Sequence, residues 1–498
     1  MGRFNGNPLS RNDLEKIHKE SLKILQDVGV RFPHQDVLRI FQKNGASVDF
    51  GSSIVKMPAD LVEEGIRRQV ENNTKYYSKY QHYDEHQPIK MWMSMGNLPY
   101  FIEPNTYKRR KGTLKDLLQA VVVGNELEHL EKVSCFGIPA EYEDEEFVNI
   151  LRYYLLVLFS KKRWFLTALE PVRAAQCMIE MAQAVAEDEM QLRNGSLLYF
   201  ELEPVQNLEY SKEHLDILIE LSKHKINVLT THWGWMGYHT PMTYASLMAL
   251  ANANILAGLT AIILLNPENM YFNYLFPMHI VNKKHPDRPL FGAPNQVVIS
   301  LVARQLADLY GFKFTLTNCF FSDSIEDNFQ LGFERGVTAA LSIFSGIDLV
   351  GVQGILGADA GISLEQLVID NEMLDYINFI LEQKIEINDN MFDFESIQKS
   401  GPGGNFHQDP KNAERWKDVY WDSDIFVAEP YDNWKKGQAA ENVRQKITST
   451  LQNNFPPEVV ISQEQRRRVD EIMESYVRDK KMLASFRKNL AAIMEGGK

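Results

Sequence analysis

The sequence predicts an α/β fold, a (β/α)8 TIM-type barrel with an N-terminal α+β subdomain and a C-terminal helical tail. Eight short apolar runs recur between residues 132 and 356, at a pitch of roughly 30 residues that fits βα modules. They are 132–137 (KVSCFG), 163–170 (RWFLTALE), 196–204 (SLLYFELEP), 226–233 (INVLTTHW), 260–266 (TAIILLN), 289–295 (PLFGAPN), 314–323 (FTLTNCFFSD) and 347–356 (IDLVGVQGIL). A helix-patterned stretch follows each run. An open doubly wound sheet would use the same alternation, but eight units without a GxGxxG fingerprint favour closure.

Ahead of the barrel, residues 11–29 carry Leu14, Ile17, Leu22, Ile24 and Leu25 at helical spacing, and short strands are expected at 30–32, 47–50 and 54–57. Residues 76–107, rich in Tyr, His and Met, read as β structure joining this subdomain to the barrel. Thr113-x-x-Asp116 and Ser363-x-x-Gln366 read as capping boxes, the second opening a helix that runs through Phe379. Pro171 opens a helix carrying Val172, Met178, Ile179, Ala182 and Val185, as proline does at a first helical position. Residues 296–310 place Val298, Leu301, Val302, Leu306 and Leu309 on one face, and Gly311 supplies the cap. A less regular tail with a GPGGN loop at 401–405, a Trp-rich stretch and a helical end closes the chain. The expected division is 1–110, 111–385 and 386–498, the last packing on the barrel and on partner or oligomer surfaces.

Composition narrows the function. With 498 residues and 44% hydrophobic content, one barrel and its flanks bury an ample core. A formal charge of −13 argues against a nucleic-acid surface, which needs a concentrated basic face. The clusters 108–111 and 466–468 are short and read as a solvated turn and helix face. No uninterrupted apolar stretch approaches the ~20 residues that cross a bilayer. The first residues have no signal core and no Ser or Thr at position six for myristoylation, so cytoplasmic residence without a membrane partner is the expectation. Cys135, Cys177 and Cys319 are too scattered for a disulfide framework or a CxxC site, and no zinc spacing is present; no metal is expected.

Several segments, in order along almost the whole chain, carry a family resemblance. They are SLKILQDVGVRF from Ser21, PMTYASLMALANANILAGL at 241–259, SDSIEDNFQLGFERGV from Ser322, SLEQLVIDNEML from Ser363, and GPGGNFHQDPKNAERW from Gly401 with Tyr431-x-x-Trp434 after it. Together they resemble the trimethylamine:corrinoid methyltransferase family, in its branch without pyrrolysine. The resemblance implies methyl transfer from a methylated amine to the Co(I) corrinoid (cobalamin-type) of a separate corrinoid protein, with no tightly bound cofactor of the enzyme's own. A homo-oligomer is also implied. Trimethylamine members carry pyrrolysine in the barrel, whereas this chain has only standard residues, including the loop 322–333. The substrates implied are therefore quaternary amines of the glycine betaine, proline betaine or carnitine type.

Quaternary nitrogen suits an enzyme with no special nucleophile. It is already positively charged and leaves as a neutral amine, so the protein must position the methyl group and exclude water. A betaine needs aromatic faces for its trimethylammonium and donors for its carboxylate. Barrel enzymes keep such groups at the C-terminal strand ends. The aromatic candidates are Trp233, Trp235, Phe320 and Phe321, with Tyr100 and Phe406 arriving from the flanks. The donor candidates are His232, His279, His407, Asn318 and Gln353. Glu201, Glu203 and Asp323 are the acids at the same rim, with electrostatic complementarity or simple capping and salt bridging as their roles. Core packing is the competing reading for each aromatic, and a structural hydrogen bond for each histidine. Two other functions use the same fold: a metal-dependent barrel lyase or isomerase, and a catalytically silent betaine-binding protein.

Overall fold

The computed structural model describes residues 6–80, 89–93, 98–104, 106–164, 166, 169–315, 320–346, 349–383, 385, 387–407 and 409–496. Short strands and long helices alternate through the middle of the chain. β1 (Lys90–Met93) precedes α1 (Leu114–Glu126), β2 (Leu130–Val133) precedes α2 (Glu145–Phe159), and β3 (Arg163–Trp164) precedes α3 (Val172–Val185). β4 (Glu201–Leu202) and α4 (Lys212–Lys223) follow, then β5 (Leu229–Thr230) and α5 (Tyr244–Leu265). β6 (Asn273–Leu275) with α6 (Asn295–Tyr310), β7 (Lys313–Thr315) with α7 (Phe329–Ile343), and β8 (Leu349–Gln353) with α8 (Leu364–Glu382) complete the series.

Pairing within this series is parallel, as helical crossovers require. β8 pairs with β1, β1 with β2, and β2 with β3. β4 pairs with β5, and β6 with β7. The Trp164 N–H donates to the Ser196 carbonyl at 3.1 Å, carrying β3 toward the β4 segment. β5 also lies beside β6, and β7 beside β8. Among the described residues the ladders remain separate sheets rather than one continuous closed one.

Two of the eight expected strands are elsewhere. Residues 260–265 belong to α5 and Asn266 is its C-cap, and Pro289–Leu290 is a short antiparallel edge against Met278–Val281. The sixth parallel strand is Asn273–Leu275, and the first is Lys90–Met93, inside the stretch expected only to join subdomain and barrel. The physical reason is burial. α5 is enclosed on nearly all sides, so its apolar residues show no polar face, and a Thr-Ala-Ile-Ile run in such a helix looks like a buried strand. α5 is also long and apolar enough to cross a membrane, but 89% of its most apolar window is buried in the protein. Its small face is functional packing: a Cβ at Gly258 would lie 2.3 Å from Thr230 Oγ1 and 2.6 Å from the Tyr210 hydroxyl.

The helix ends obey the expected chemistry. Thr113 forms a complete capping box with Asp116, Ser363 accepts from the Gln366 N–H, and Gly311 closes α6 at φ 78°. Pro171 stands one position earlier than expected, at the cap itself.

The N-terminal helix Arg11–Lys23 packs along α5, with a small sheet beyond it. In that sheet Ile54–Lys56 pairs with both Val30–Arg31 and Ser47–Asp49. Its other edge is supplied by the loop after β4: Arg31 pairs in parallel with Glu209, and Glu209–Tyr210 pairs with Pro204–Gln206. The subdomain thus braces the C-terminal end of β4. At the far end of the chain, Gln463–Tyr476 lies along α3, and the Tyr154 hydroxyl donates to Asp470 at 2.5 Å.

Candidate functional site

A cavity of 240 Å³ opens beyond the C-terminal ends of β4 and β5, lined by Glu203, Pro204, Val205, Gln206, His214, Trp233 and His239. Ligand pockets typically span roughly 300–1,000 Å³, so this one suits a small molecule. Val205 and Gln206 are exposed at its rim, leaving it open to the surface.

Three carboxylates surround the recess, and each is handled differently. The Glu201 carboxylate is buried and accepts from the Tyr199 hydroxyl at 2.5 Å. Burial raises its pKa, opposed by Tyr199, the Trp233 side chain and the Lys132 ammonium. Lys132 lies on β2, its Nζ 4.0 Å from the Trp92 ring centre and 4.2 Å from that of Tyr199. Burial pulls its pKa down to about 8. Glu170 pairs with His214 Nε2 at 3.0 Å, while His214 Nδ1 lies 3.3 Å from the Glu203 carbonyl oxygen. With an ionised Glu170 both partners are acceptors, an arrangement that favours the doubly protonated ring of His214. Burial alone would depress it, but Glu170 more than offsets this and its pKa is raised. Glu203 is the third. It is half-buried on the cavity wall, and desolvation, with the neighbouring Glu201 charge, pushes its pKa up to about 8.

His239 accepts at Nδ1 from the Trp235 N–H at 3.1 Å, which leaves Nε2 as the protonated nitrogen of the neutral ring. Trp233 is half-buried and supplies the aromatic wall. The recess therefore combines an aromatic face, an acid and a neutral imidazole donor.

Of the residues expected from the sequence, Trp233, Glu201 and Glu203 come together here. His232, one residue before Trp233, is buried with both ring nitrogens lacking a partner among the described residues, and burial lowers its pKa to about 3. A Cβ at Gly234 would fall 2.9 Å from His232 Nε2, so glycine makes that placement available. Phe321 belongs to a closed aromatic stack instead of an open cage: His279 lies between Trp233 at 6.0 Å and Phe291 at 4.2 Å, and Phe291 meets Phe321 edge-on at 4.9 Å. Phe320 is fully buried alongside. Asp323 is a loop clamp, accepting from the backbone N–H groups of Phe291 and Gly292 at 3.0 Å each. Gln353 is buried at the end of β8 with neither amide atom partnered. Trp235 meets Tyr238 at a tilt and His239 edge-on, each at 5.3 Å. Tyr100 carries the Arg109 guanidinium on its face. Phe406 and His407 are exposed in the tail, away from the cavity lining, and Asn318 falls outside the described residues. Sequence reading missed His214, His239 and Glu170; the first two sit in the loop and first helical turn just past the strand ends, where the same barrel rule points.

A comparison with protein families decides the assignment: residues 4–482 match the family described as trimethylamine methyltransferase (MTTB). The chain belongs to that family. A glycine betaine methyltransferase from Desulfitobacterium hafniense (strain Y51) is 21% identical over 459 residues, covering 91% of this chain and 93% of that relative. The trimethylamine methyltransferase MttB of D. hafniense (strain DSM 10664 / DCB-2) is 23% identical, over 80% of this chain and 79% of the relative. The MttB of Methanosarcina thermophila is likewise 23% identical over 80% and 83%. Among solved structures, the monomethylamine methyltransferase MtmB of Methanosarcina barkeri aligns over 95% of this chain and 89% of its own, at 9% identity and a TM-score of 0.43. As a member of the MTTB family the chain is a methyltransferase.

Proposed function

We propose that this MTTB-family methyltransferase takes a methyl group from a quaternary amine of the glycine betaine, proline betaine or carnitine type. The receiver is a corrinoid held by a separate protein. The observation that carries the substrate class is the recess at the ends of β4 and β5, where Trp233 and Glu203 face a space of 240 Å³ with no lysine or arginine on its lining among the described residues. A cation on an indole face gains on the order of 0.5–2 kcal/mol, at the upper end when desolvated. The branch without pyrrolysine is supported by a sequence of standard residues throughout. We take the eight parallel strands as the wall of a (β/α)8 barrel, a reading supported by their chain order and by the helix after each one. On that reading the barrel opens at β1 (Lys90–Met93), so the boundary expected at 110 moves to before residue 90, and the loop after β4 ties the N-terminal subdomain to the barrel.

The reduced corrinoid would supply the nucleophile. The exposed rim at Val205 and Gln206 fits an acceptor arriving from outside on another protein. Trp233 and Glu203 hold the ammonium, and His239 Nε2–H is the donor we assign to the substrate carboxylate. His232 and Gln353, with buried polar atoms that lack protein partners, are further polar anchors in this reading. Because the quaternary nitrogen carries no proton, these residues orient the N–CH3 bond rather than perform acid–base chemistry during transfer.

The reaction is tested by its product: incubation of glycine betaine with enzyme and reduced corrinoid protein should yield dimethylglycine in step with corrinoid methylation. Persistence of intact betaine, with other quaternary amines equally inert, would sink the proposal. For His239→Ala the expected outcome is a KM for glycine betaine raised roughly 10-fold or more, since a hydrogen bond to a charged group is worth ~1.5–3 kcal/mol. Tetramethylammonium, which has no carboxylate, should bind the variant as it binds the parent; equal losses for both ligands would reject the assigned role.

We also propose a homo-oligomer. Ile385, Phe394, Val419 and Tyr431 are each at least 70% exposed, apolar surface that a second copy of the chain would cover. Light scattering on the purified protein should give a multiple of 57.4 kDa, and a monomer at micromolar concentration would reject it.

A further inference from the structure

One side chain in the recess wall reaches two strand ends at once. His214 is the third residue of α4, where its backbone N–H donates to the capping Ser211 hydroxyl at 3.0 Å. Its ring lies between the chain leaving β3 and the chain leaving β4: Nε2 is 3.0 Å from the Glu170 carboxylate, and Nδ1 is 3.3 Å from the Glu203 carbonyl oxygen. A carbonyl oxygen only accepts, so Nδ1 is the donor in the second contact. Phe200 meets the same ring edge-on at 5.8 Å, a third side on which it is held.

The two ends of this bridge are anchored differently. Glu170 is fixed to the scaffold, since its carbonyl accepts from Asn149 Nδ2 on α2 at 2.8 Å and Pro171 caps α3 immediately after it. Glu203 has less support of that kind. The ladder between β4 and β5 ends at Leu202, and the next pairing, Pro204–Gln206 with Glu209–Tyr210, begins after Glu203 and is irregular between Pro204 and Gln206. Pro204 has no N–H with which to extend a ladder. The Glu203 carboxyl faces the Trp233 backbone N–H, and the Glu203 carbonyl is taken by His214.

We propose that His214 is a positioning residue for the quaternary ammonium: Glu170 holds the ring, and Nδ1–H holds the Glu203 main chain so that the Glu203 side chain stays turned into the recess. This rests on the substrate reading above and deepens it. His214 acts through Glu203 rather than on the substrate itself. With the main chain fixed, the carboxylate opposes the ammonium without first having to be ordered, which saves that cost at the moment of binding. A purely structural ion pair would use Nε2 and Glu170 alone. The Nδ1 contact is the part that bears on the site.

Two amide substitutions separate these roles, because asparagine Nδ2 takes the place of imidazole Nδ1 and glutamine Nε2 that of imidazole Nε2. Asparagine therefore keeps the Glu203 contact and loses Glu170, and glutamine does the reverse. Glycine betaine and tetramethylammonium are titrated calorimetrically at one pH into the full-length parent, His214→Asn, His214→Gln and Glu170→Ala. His214→Gln should weaken both ligands roughly tenfold, the effect of one lost hydrogen bond, while His214→Asn should stay within about threefold of the parent. Glu170→Ala, which keeps the imidazole but releases its far side, should fall between the two. Equal losses in the two amide variants, a greater loss in His214→Asn, or no loss in either would overturn the positioning role while leaving the substrate class intact. If circular dichroism shows that an amide variant does not fold, Glu170→Ala decides, and an affinity equal to the parent's would overturn the role. Binding of neither ligand to the parent would overturn the substrate class and the positioning role together.

Discussion

Replacing Asp370 with asparagine is expected to lower stability by ~3–5 kcal/mol, the cost of leaving a buried charge without its partner. Asp370 on α8 and Arg335 on α7 are both fully buried and meet at 2.6 Å. Asp370 also accepts from Gln366 Nε2 at 2.7 Å and from the Gly354 N–H at 2.9 Å, while Arg335 donates to the Ile355 carbonyl. The pair therefore fastens two outer helices to the chain as it leaves β8. The loop there is itself sewn to the loop after β7, through Gly357 N–H to the Ser324 carbonyl at 3.0 Å and Ala358 N–H to the Ser322 carbonyl at 3.1 Å. Urea unfolding should show a lowered midpoint with an unchanged slope. Removing the exposed Lys411–Asp393 pair should cost less than about 1 kcal/mol in the same assay. An Asp370→Asn midpoint equal to that of the parent would show that water or a rearranged guanidinium replaces the carboxylate.

The second large effect concerns turnover. Trp233→Ala should reduce kcat/KM for the quaternary amine by roughly thirtyfold, the equivalent of ~2 kcal/mol for a desolvated cation on an indole face. Trp233→Phe should recover most of the loss, because the phenyl face still attracts a cation. The stack of His279, Phe291 and Phe321 closes on itself behind Trp233, so the alanine variant should keep its fold, as circular dichroism would report. An unchanged kcat/KM in the alanine variant would move the cation away from this recess.

Much of this architecture was legible because local rules and global packing agree. The alternation of short apolar runs with amphipathic stretches announced the parallel strands and their helices, and Thr113, Ser363 and Gly311 announced helix ends that are present. The reading failed where tertiary packing removes periodicity. α5 is apolar nearly all round, and its Thr260–Ile263 stretch carries the same composition as a buried strand. β1 is four residues long and lies in Tyr- and Met-rich sequence with no strong alternation.

The site was legible in part for a related reason. Strand-end logic picked out Glu201, Glu203 and Trp233, since two-residue spacing keeps the glutamates on one side. It could not tell that Phe321 would be closed in by His279 and Phe291, or that Asp323 would turn to the Phe291 and Gly292 amides, because those partners come from a loop 30 residues away in sequence. His214 and His239 carry no motif; only folding brings them to the same recess.

The central claim is methyl transfer from a quaternary amine, and it is met most directly by following the Co(I) absorbance of the reduced corrinoid protein. The panel is trimethylamine, glycine betaine, proline betaine, carnitine and choline. The predicted result is loss of that absorbance with one of the betaines or carnitine and none with trimethylamine. Turnover of trimethylamine alone would contradict the substrate class, and no loss with any of the five, using an acceptor proven competent with another methyl donor, would contradict the reaction.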